Sequence, residues 1–446
     1  MTSRRGFLQG LSTVGLLACT GDKSSDSALE TIDVRPAEPE KWSPGNTLST
    51  SIFPSGIQVG DASSSSAFVS VQTTADSVEW ILVHQNANDW VEIARNVEVA
   101  VDGTVQFSLT DLQSDTAHCI VCNDTESQQR SAVTRFRTAL GDTDWRIVTF
   151  GATSCMRGNL PWPSLTRAAE EQLDFFLLLG DTVYTNARSF DTAWSDWQVA
   201  LRVQGLQDLT QSTSVIATWD DHELVNNFDW DLVDGAEEIH ANALRAFQKA
   251  LPMDQAQTGN IYRKVSHGDV CDIFVLDCRG ERRSDSAQYM SSEQLQWLKS
   301  ALTESTARFK FIMNTVPITD FNDLIGEVES IDRWQGFPEQ RTEVLSHIED
   351  SGIQGVLWLA GDFHFGLFAV VSPVGQVGDS MFEVLNGPTG SFLNPMGELL
   401  VPTEQFQFTV AAWNYTHYEC NPQTGEVLVR YIADDGSTLR EQVIQL

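Results

Sequence analysis

The chain has 446 residues, long enough for two domains, and its 13 Trp and 23 Phe supply ample material for buried cores. Its 28 basic residues against 61 acidic ones leave a net charge of −33, with no basic tail or stripe to offset it. That surface repels phosphate backbones and excludes stable nucleic-acid binding, and the apolar content excludes a disordered chain.

Residues 1–19 read as an export address rather than as structure. Ser3-Arg4-Arg5-Gly6-Phe7-Leu8 has the form of a twin-arginine signal. The apolar run from Gly10 to Ala18 is too short to span a bilayer. It ends in Leu16-Leu17-Ala18-Cys19, which resembles a bacterial lipobox. The resemblance implies cleavage before Cys19 and a lipid anchor on it, hence a periplasmic or cell-surface lipoprotein. Residues 20–45, rich in Ser, Asp, Glu and Pro, read as a flexible tether.

Residues 46–140 carry short alternating segments separated by Gly, Asn, Asp and Ser, among them Ala67–Gln72, Val78–Val83 and Thr104–Leu109. They predict a small all-β, fibronectin-type sandwich. Cys119 and Cys122 fall within one such strand, whose alternation sends them to opposite faces and argues against a zinc knuckle or redox pair. Export permits disulfides, but spacing alone pairs none of Cys119, Cys122, Cys271, Cys278 and Cys420.

From 144 to 446 apolar runs alternate with helical segments, as in βα units around buried sheets. The predicted strands are Trp145–Phe150, Phe175–Leu179, Ser214–Thr218, Asp272–Asp277, Lys310–Thr315 and Gly355–Ala360, with a return to strands over about 380–446. Ser292–Leu302 predicts a helix, with Leu295, Leu298 and Leu302 on one face and Ser291 or Ser292 as its cap.

Four polar segments follow strands directly: Ser154-Cys155, Gly180-Asp181-Thr182-Val183-Tyr184, Trp219-Asp220-Asp221-His222-Glu223 and Gly361-Asp362-Phe363-His364. Ligands gather at the carboxyl ends of strands in open α/β sheets, so neighbouring strands would bring these groups together. Carboxylates and a phenolate suit hard cations, and thiolate and imidazole add softer donors. Buried without a cation, the acids would repel and take up protons. Asp181 is the natural bridging ligand, and a phenolate beside a thiolate calls for a highly charged metal, since the phenol pKa is about 10. Asp220 reads as a helix cap or arginine partner, and Glu223 as a group orienting His222. His240, His267 and His417 lack a constellation and read as structural.

These motifs, in this order, resemble the alkaline phosphatase D (PhoD-type) family of calcineurin-like metallophosphoesterases. Asn226-Asn227, Ala246–Pro252 and Leu276-Asp277-Cys278-Arg279 with Arg282 extend the resemblance over roughly 46–446. It implies an α/β (α+β) metallophosphoesterase sandwich of two packed mixed sheets flanked by helices, after the small β domain. It implies a ferric site of Cys155, Asp181, Tyr184 and His364. A second site, for calcium or for manganese, magnesium or zinc, would use Asp181, Asp221 and Asp362, completed by Asn226 or Asn227. The implied reaction is hydrolysis of phosphate mono- or diesters by a metal-bound hydroxide. His222 is the candidate proton donor, and Arg279 or Arg282 the candidate clamp on phosphate oxygens; the other reading of Arg279, Arg282 and Arg283 is that they are solvated or paired with nearby acids. A monomer acting on a small phosphate ester is expected. The alternatives are a phospholipase-like diesterase on lipid head groups and a non-catalytic, metal-stabilised surface-binding lipoprotein.

Overall fold

A computed structural model describes residues 45–446 except 87–88, 158–160, 255–259, 322–329 and 401. The export signal, the lipobox with Cys19, and the tether up to residue 44 lie outside the described residues.

Two mixed sheets pack face to face. The nine-stranded sheet runs Thr438–Gln445, Glu426–Ala433, Asn414–Asn421, β1 (Val148–Thr153), β2 (Phe175–Leu179), β3 (Ser214–Thr218), Ile57–Gly60, Ala67–Gln72, Thr104–Leu109. The seven-stranded sheet runs Arg263–His267, Cys271–Val275, Phe309–Met313, β4 (Val356–Ala360), Phe382–Leu385, Gly366–Val370, Phe406–Val410. Strand alternation explains the layering. Phe175, Leu177 and Leu179 of β2 face the seven-stranded sheet, meeting a core with Phe311, Leu357 and Leu359. Phe176 and Leu178 face the other way, under a helical layer that buries Trp197, Leu209 and Phe247. Beyond the seven-stranded sheet, Trp358 packs against helices Ser292–Glu304 and Pro338–Asp350 through Leu298, Leu302 and Leu345. The first of these helices starts where the sequence places it, with the Ser291 hydroxyl accepting from Gln294 N at 3.1 Å.

β2 and β3 coincide with their predicted spans, and β4 begins one residue later. β1 lies about three residues further on than predicted, because Gly151-Ala152-Thr153 continue the ladder to both neighbours. The loop carrying Cys155 therefore starts closer to the sulfur.

Residues 46–140 do form two β layers around their own core of Val69, Val71, Trp80, Leu82 and Ile120. One layer, however, is not a separate sheet. Strands Ile57–Gly60, Ala67–Gln72 and Thr104–Leu109 extend the nine-stranded sheet past β3, through the Val215–Gly60 bridge. An ion pair fixes this junction. Asp61 accepts from Arg263 Nε at 2.5 Å and Nη2 at 2.8 Å, and both side chains are buried. The other layer holds Cys119 and Cys122, whose side chains enter different cores, as alternation predicts. All six described cysteines are free and buried.

Candidate metal centre

β1, β2 and β3 are neighbours in register, and their carboxyl ends open on one side. β4, in the facing sheet, delivers its following loop to the same place. Cys155, Asp181, Asp362 and His364 sit in these loops with φ of 55°, 54°, 61° and 58°. Non-glycine residues rarely adopt such left-handed backbone, at roughly 1–3 kcal/mol each, and such strain clusters at functional sites. Two glycines permit the close approach. Gly180 has φ of 94°, and a Cβ there would lie 2.6 Å from that of Asp220. A Cβ on Gly361 would overlap Ser154, joining the loops of the two sheets.

Ligand atoms of Cys155, Asp181 and His364 lie within 4.8 Å of one another. So do those of Asp220, Asp221 and Asp362, and those of Asp181, Asp221 and His222. The Tyr184 hydroxyl lies 3.2 Å from His364 Nε2 and 3.3 Å from Ser391 Oγ, at the edge of the first group. Ser154 Oγ lies 3.3 Å from Cys155 Sγ. The residues from four separated segments thus converge, and their chemistry fits cations. Burial, reinforced by Asp221, Asp220 and Glu223, pushes the Asp181 carboxyl well above the usual range. Burial, with Asp220 and Asp332, does the same to Asp362. Burial and Asp181 raise the Cys155 thiol, and burial, Cys155 and Asp181 raise the Tyr184 phenol. A cation among these groups reverses each shift. Asp221 Oδ1, buried and without a hydrogen-bond partner, is an acceptor that a cation would satisfy.

Glu223 does not orient His222. Its buried carboxylate accepts from the backbone N–H of Asp181 (3.0 Å), Thr182 (2.6 Å), Val183 (3.3 Å) and Asp220 (2.9 Å). It therefore shapes the loop that presents Asp181. The partner of the His222 ring is Asn186, whose Oδ1 lies 2.9 Å from Nδ1. With Nδ1–H donating there, Nε2 is left for the cavity. The same Oδ1 accepts from Asn226 N at 2.8 Å. Asn226 and Asn227 both line the cavity; their side chains bond each other at 2.9 Å, and Asn227 N donates to Asp221 Oδ2 at 2.5 Å.

Arg279 and Arg282 are not on the cavity wall. Both are buried beneath it. Arg279 Nε donates to Asp220 Oδ1 at 2.5 Å, its Nη1 pairs with Asp332, and Arg282 Nη1 reaches Asp332 Oδ1 at 3.2 Å. Arg279 Nη2 ends 4.0 Å from Asp221 and 3.9 Å from Asp362. Of the two readings left by the sequence, a phosphate clamp and a partner for nearby acids, the second describes these contacts. Against burial, Arg279 and His222 hold Asp221 below the usual carboxylate range. Asp220 pairs with Arg279 and stands at the N-cap of the turn Asp221–Glu223. His240 packs among Trp219, Phe228 and Trp230, and His267 against Phe175, away from the centre.

The cavity over these groups holds about 410 Å³. Its wall includes Asp181, Asp221, His222, Asp332, Asp362 and His364. Arg157 and Arg333 add cations, and Phe363, Phe392 and Met396 an apolar side.

Comparison with known proteins gives a consistent result. The family described as PhoD-like phosphatase matches residues 196–431. Alkaline phosphatase D of Bacillus subtilis (strain 168) is 24% identical over 266 residues, which are 49% of this chain and 46% of that protein. The chain thus spans about half the length of this curated relative. Among solved structures, one described as PhoD superposes with a TM-score of 0.77 at 18% identity, covering 89% of this chain and 90% of that one. A purple acid phosphatase, PPD1 from yellow lupin (Lupinus luteus) seeds, superposes with a TM-score of 0.62 at 10% identity, covering 87% and 73%. These superpositions establish the shared fold.

Proposed function

Because the chain belongs to the PhoD-like phosphatase family, we propose that it is a metal-dependent phosphoesterase that hydrolyses phosphate mono- or diesters. The observation that carries this reading is the meeting of Cys155, Asp181 and His364 within 4.8 Å, from loops of two different sheets. In this reading Cys155, Asp181, Tyr184 and His364 hold a ferric ion. Asp181, Asp221 and Asp362, with Asn226 or Asn227, hold a divalent one, calcium first. Such ions, when bound, activate water and neutralise phosphoryl oxygens. The chain supplies the rest. Glu223 fixes the Asp181 loop, the Arg279 pair holds Asp220 and offsets the acids, and His222, held through Nδ1 by Asn186, presents Nε2 as proton donor to the leaving oxygen. The twin-arginine and lipobox signals support export of the folded protein and anchoring at Cys19, as a periplasmic or cell-surface monomer without nucleic-acid partners.

A second reading, a diesterase on lipid head groups, has its own support. Beside the cavity Phe392 is 61% exposed and lies edge-on to His364 with ring centres 4.2 Å apart. Leu393, next in the chain, is 37% exposed, and Trp413, which donates from Nε1 to Ser391 O at 2.7 Å, is 38% exposed. That apolar lip suits an apolar arm on the ester.

The test is metal analysis with turnover of bis(4-nitrophenyl) phosphate by wild type and Asp181→Ala. The variant is expected to lose metal and at least about a hundredfold in turnover. Equal metal content and turnover in the two proteins ends the reading.

A further inference from the structure

We propose that Arg157 is the substrate-contacting cation of this site, pairing its guanidinium with a non-bridging oxygen of the phosphoryl group. This rests on the phosphoesterase reading above. The cavity wall carries four aspartates, Asp181, Asp221, Asp332 and Asp362, and two arginines, Arg157 and Arg333. Arg279 and Arg282, to which the resemblance gives this task, are 0% and 1% exposed and pair with Asp220 and Asp332 under the wall rather than lining it. Arg333 is 3% exposed, which leaves it little freedom to follow a substrate. Arg157 differs on each count. It is exposed, and it forms no ion pair or hydrogen bond with the described residues. Its guanidinium lies 5.7 Å from the centre of the Tyr184 ring, over the proposed ferric side.

Its backbone is held where its side chain is free. Met156 N donates to Asp181 O at 2.8 Å, and Gly390 N to Cys155 O at 3.2 Å, so the loop bearing Arg157 is tied to two other loops of the centre. An anionic ester entering here crosses a wall of carboxylates. Once cations occupy the centre, Arg157 is the mobile positive group at the entrance, and a planar fork matches two phosphoryl oxygens.

The experiment compares wild type, Arg157→Met and Arg157→Lys in the metal-loaded full chain. It measures metal content, kcat and KM for bis(4-nitrophenyl) phosphate, and binding of inorganic phosphate by calorimetry. Arg157→Met is expected to keep its metals and to raise KM and the phosphate Kd about tenfold, with partial recovery in Arg157→Lys. A merely structural role against Tyr184 would alter metal content and leave phosphate affinity alone. Phosphate affinity and KM within about twofold of wild type in Arg157→Met overturn the proposal while leaving the phosphoesterase reading intact. A metal-loaded wild type that neither binds phosphate nor turns over the ester removes both. Phosphate binding that depends on Arg157 without turnover supports this proposal and ends the catalytic reading.

Discussion

Replacing Glu223 by glutamine tests how the loop of Asp181 is built. The carboxylate serves four backbone donors, two on each oxygen: Thr182 and Val183 on Oε1, Asp181 and Asp220 on Oε2. A glutamine keeps one acceptor oxygen and turns a second donor toward the other pair. Whichever way the amide lies, two buried N–H groups lose their acceptor. At about 1–3 kcal/mol for each such group, the loss is about 2–6 kcal/mol. One effect opposes it. Burial pushes the Glu223 carboxyl up to about 8, so in melts run above that pH, where the group is ionised, removing the charge relieves part of the desolvation. The net expectation is the lower part of that range, about 2–3 kcal/mol. Urea melts of the metal-free protein read the stability change, and titration with a divalent ion reads the geometry of Asp181. Glu223→Gln should melt earlier and bind metal more weakly, and Glu223→Asp should fall between it and wild type. A Glu223→Gln protein with wild-type metal affinity and a stability change below about 0.5 kcal/mol would refute the assignment of Glu223 as the loop anchor.

Metal removal should destabilise the chain in a pH-dependent way. Without cations Asp181 and Asp362 are held well above the usual carboxylate range, Asp220 at about 6 and Glu223 at about 8, chiefly by burial. The folded chain then binds more protons than the unfolded one from about pH 4 to pH 8, so stability falls as pH rises through that window. Cations replace those protons. Thermal melts with and without chelator should therefore diverge more at pH 8 than at pH 5, and the opposite order contradicts the argument. Asp61→Asn should cost about 3–5 kcal/mol in urea melts, because it strands the buried Arg263 guanidinium. A loss below about 1 kcal/mol would show that this ion pair does not secure the junction.

The strands were legible because a buried strand is a short apolar run with abrupt ends. Phe175–Leu179 and Ser214–Thr218 match residue for residue, and a polar group follows each at once. Convergence of the four loops was expected on condition that their strands were neighbours; β1, β2 and β3 are, while β4 reaches the same place from the facing sheet. Partnerships made across long stretches of chain were not legible. Nothing in the spacing of Arg279 and Arg282 signals that Asp332, some fifty positions on, captures both. The neighbour relation of His222 and Glu223 suggested that one orients the other, whereas the tight turn points them apart, to Asn186 and to the Asp181 loop. The split between a front β domain and the rest came from a change in pattern at 144. A sheet that runs on from β3 into Ile57–Gly60 leaves no mark in composition.

The distribution of the candidate ligands over two sheets has a mechanical consequence. Cys155, Asp181 and Asp221 hang from one sheet, while Asp362 and His364 hang from the other. An ion shared among them would act as a rivet through the seam, closing a loop of about two hundred residues and restricting the unfolded chain much as a long-range crosslink does. Opening the seam would pull the ligand set apart, so loss of the sheet-to-sheet packing would release the ion.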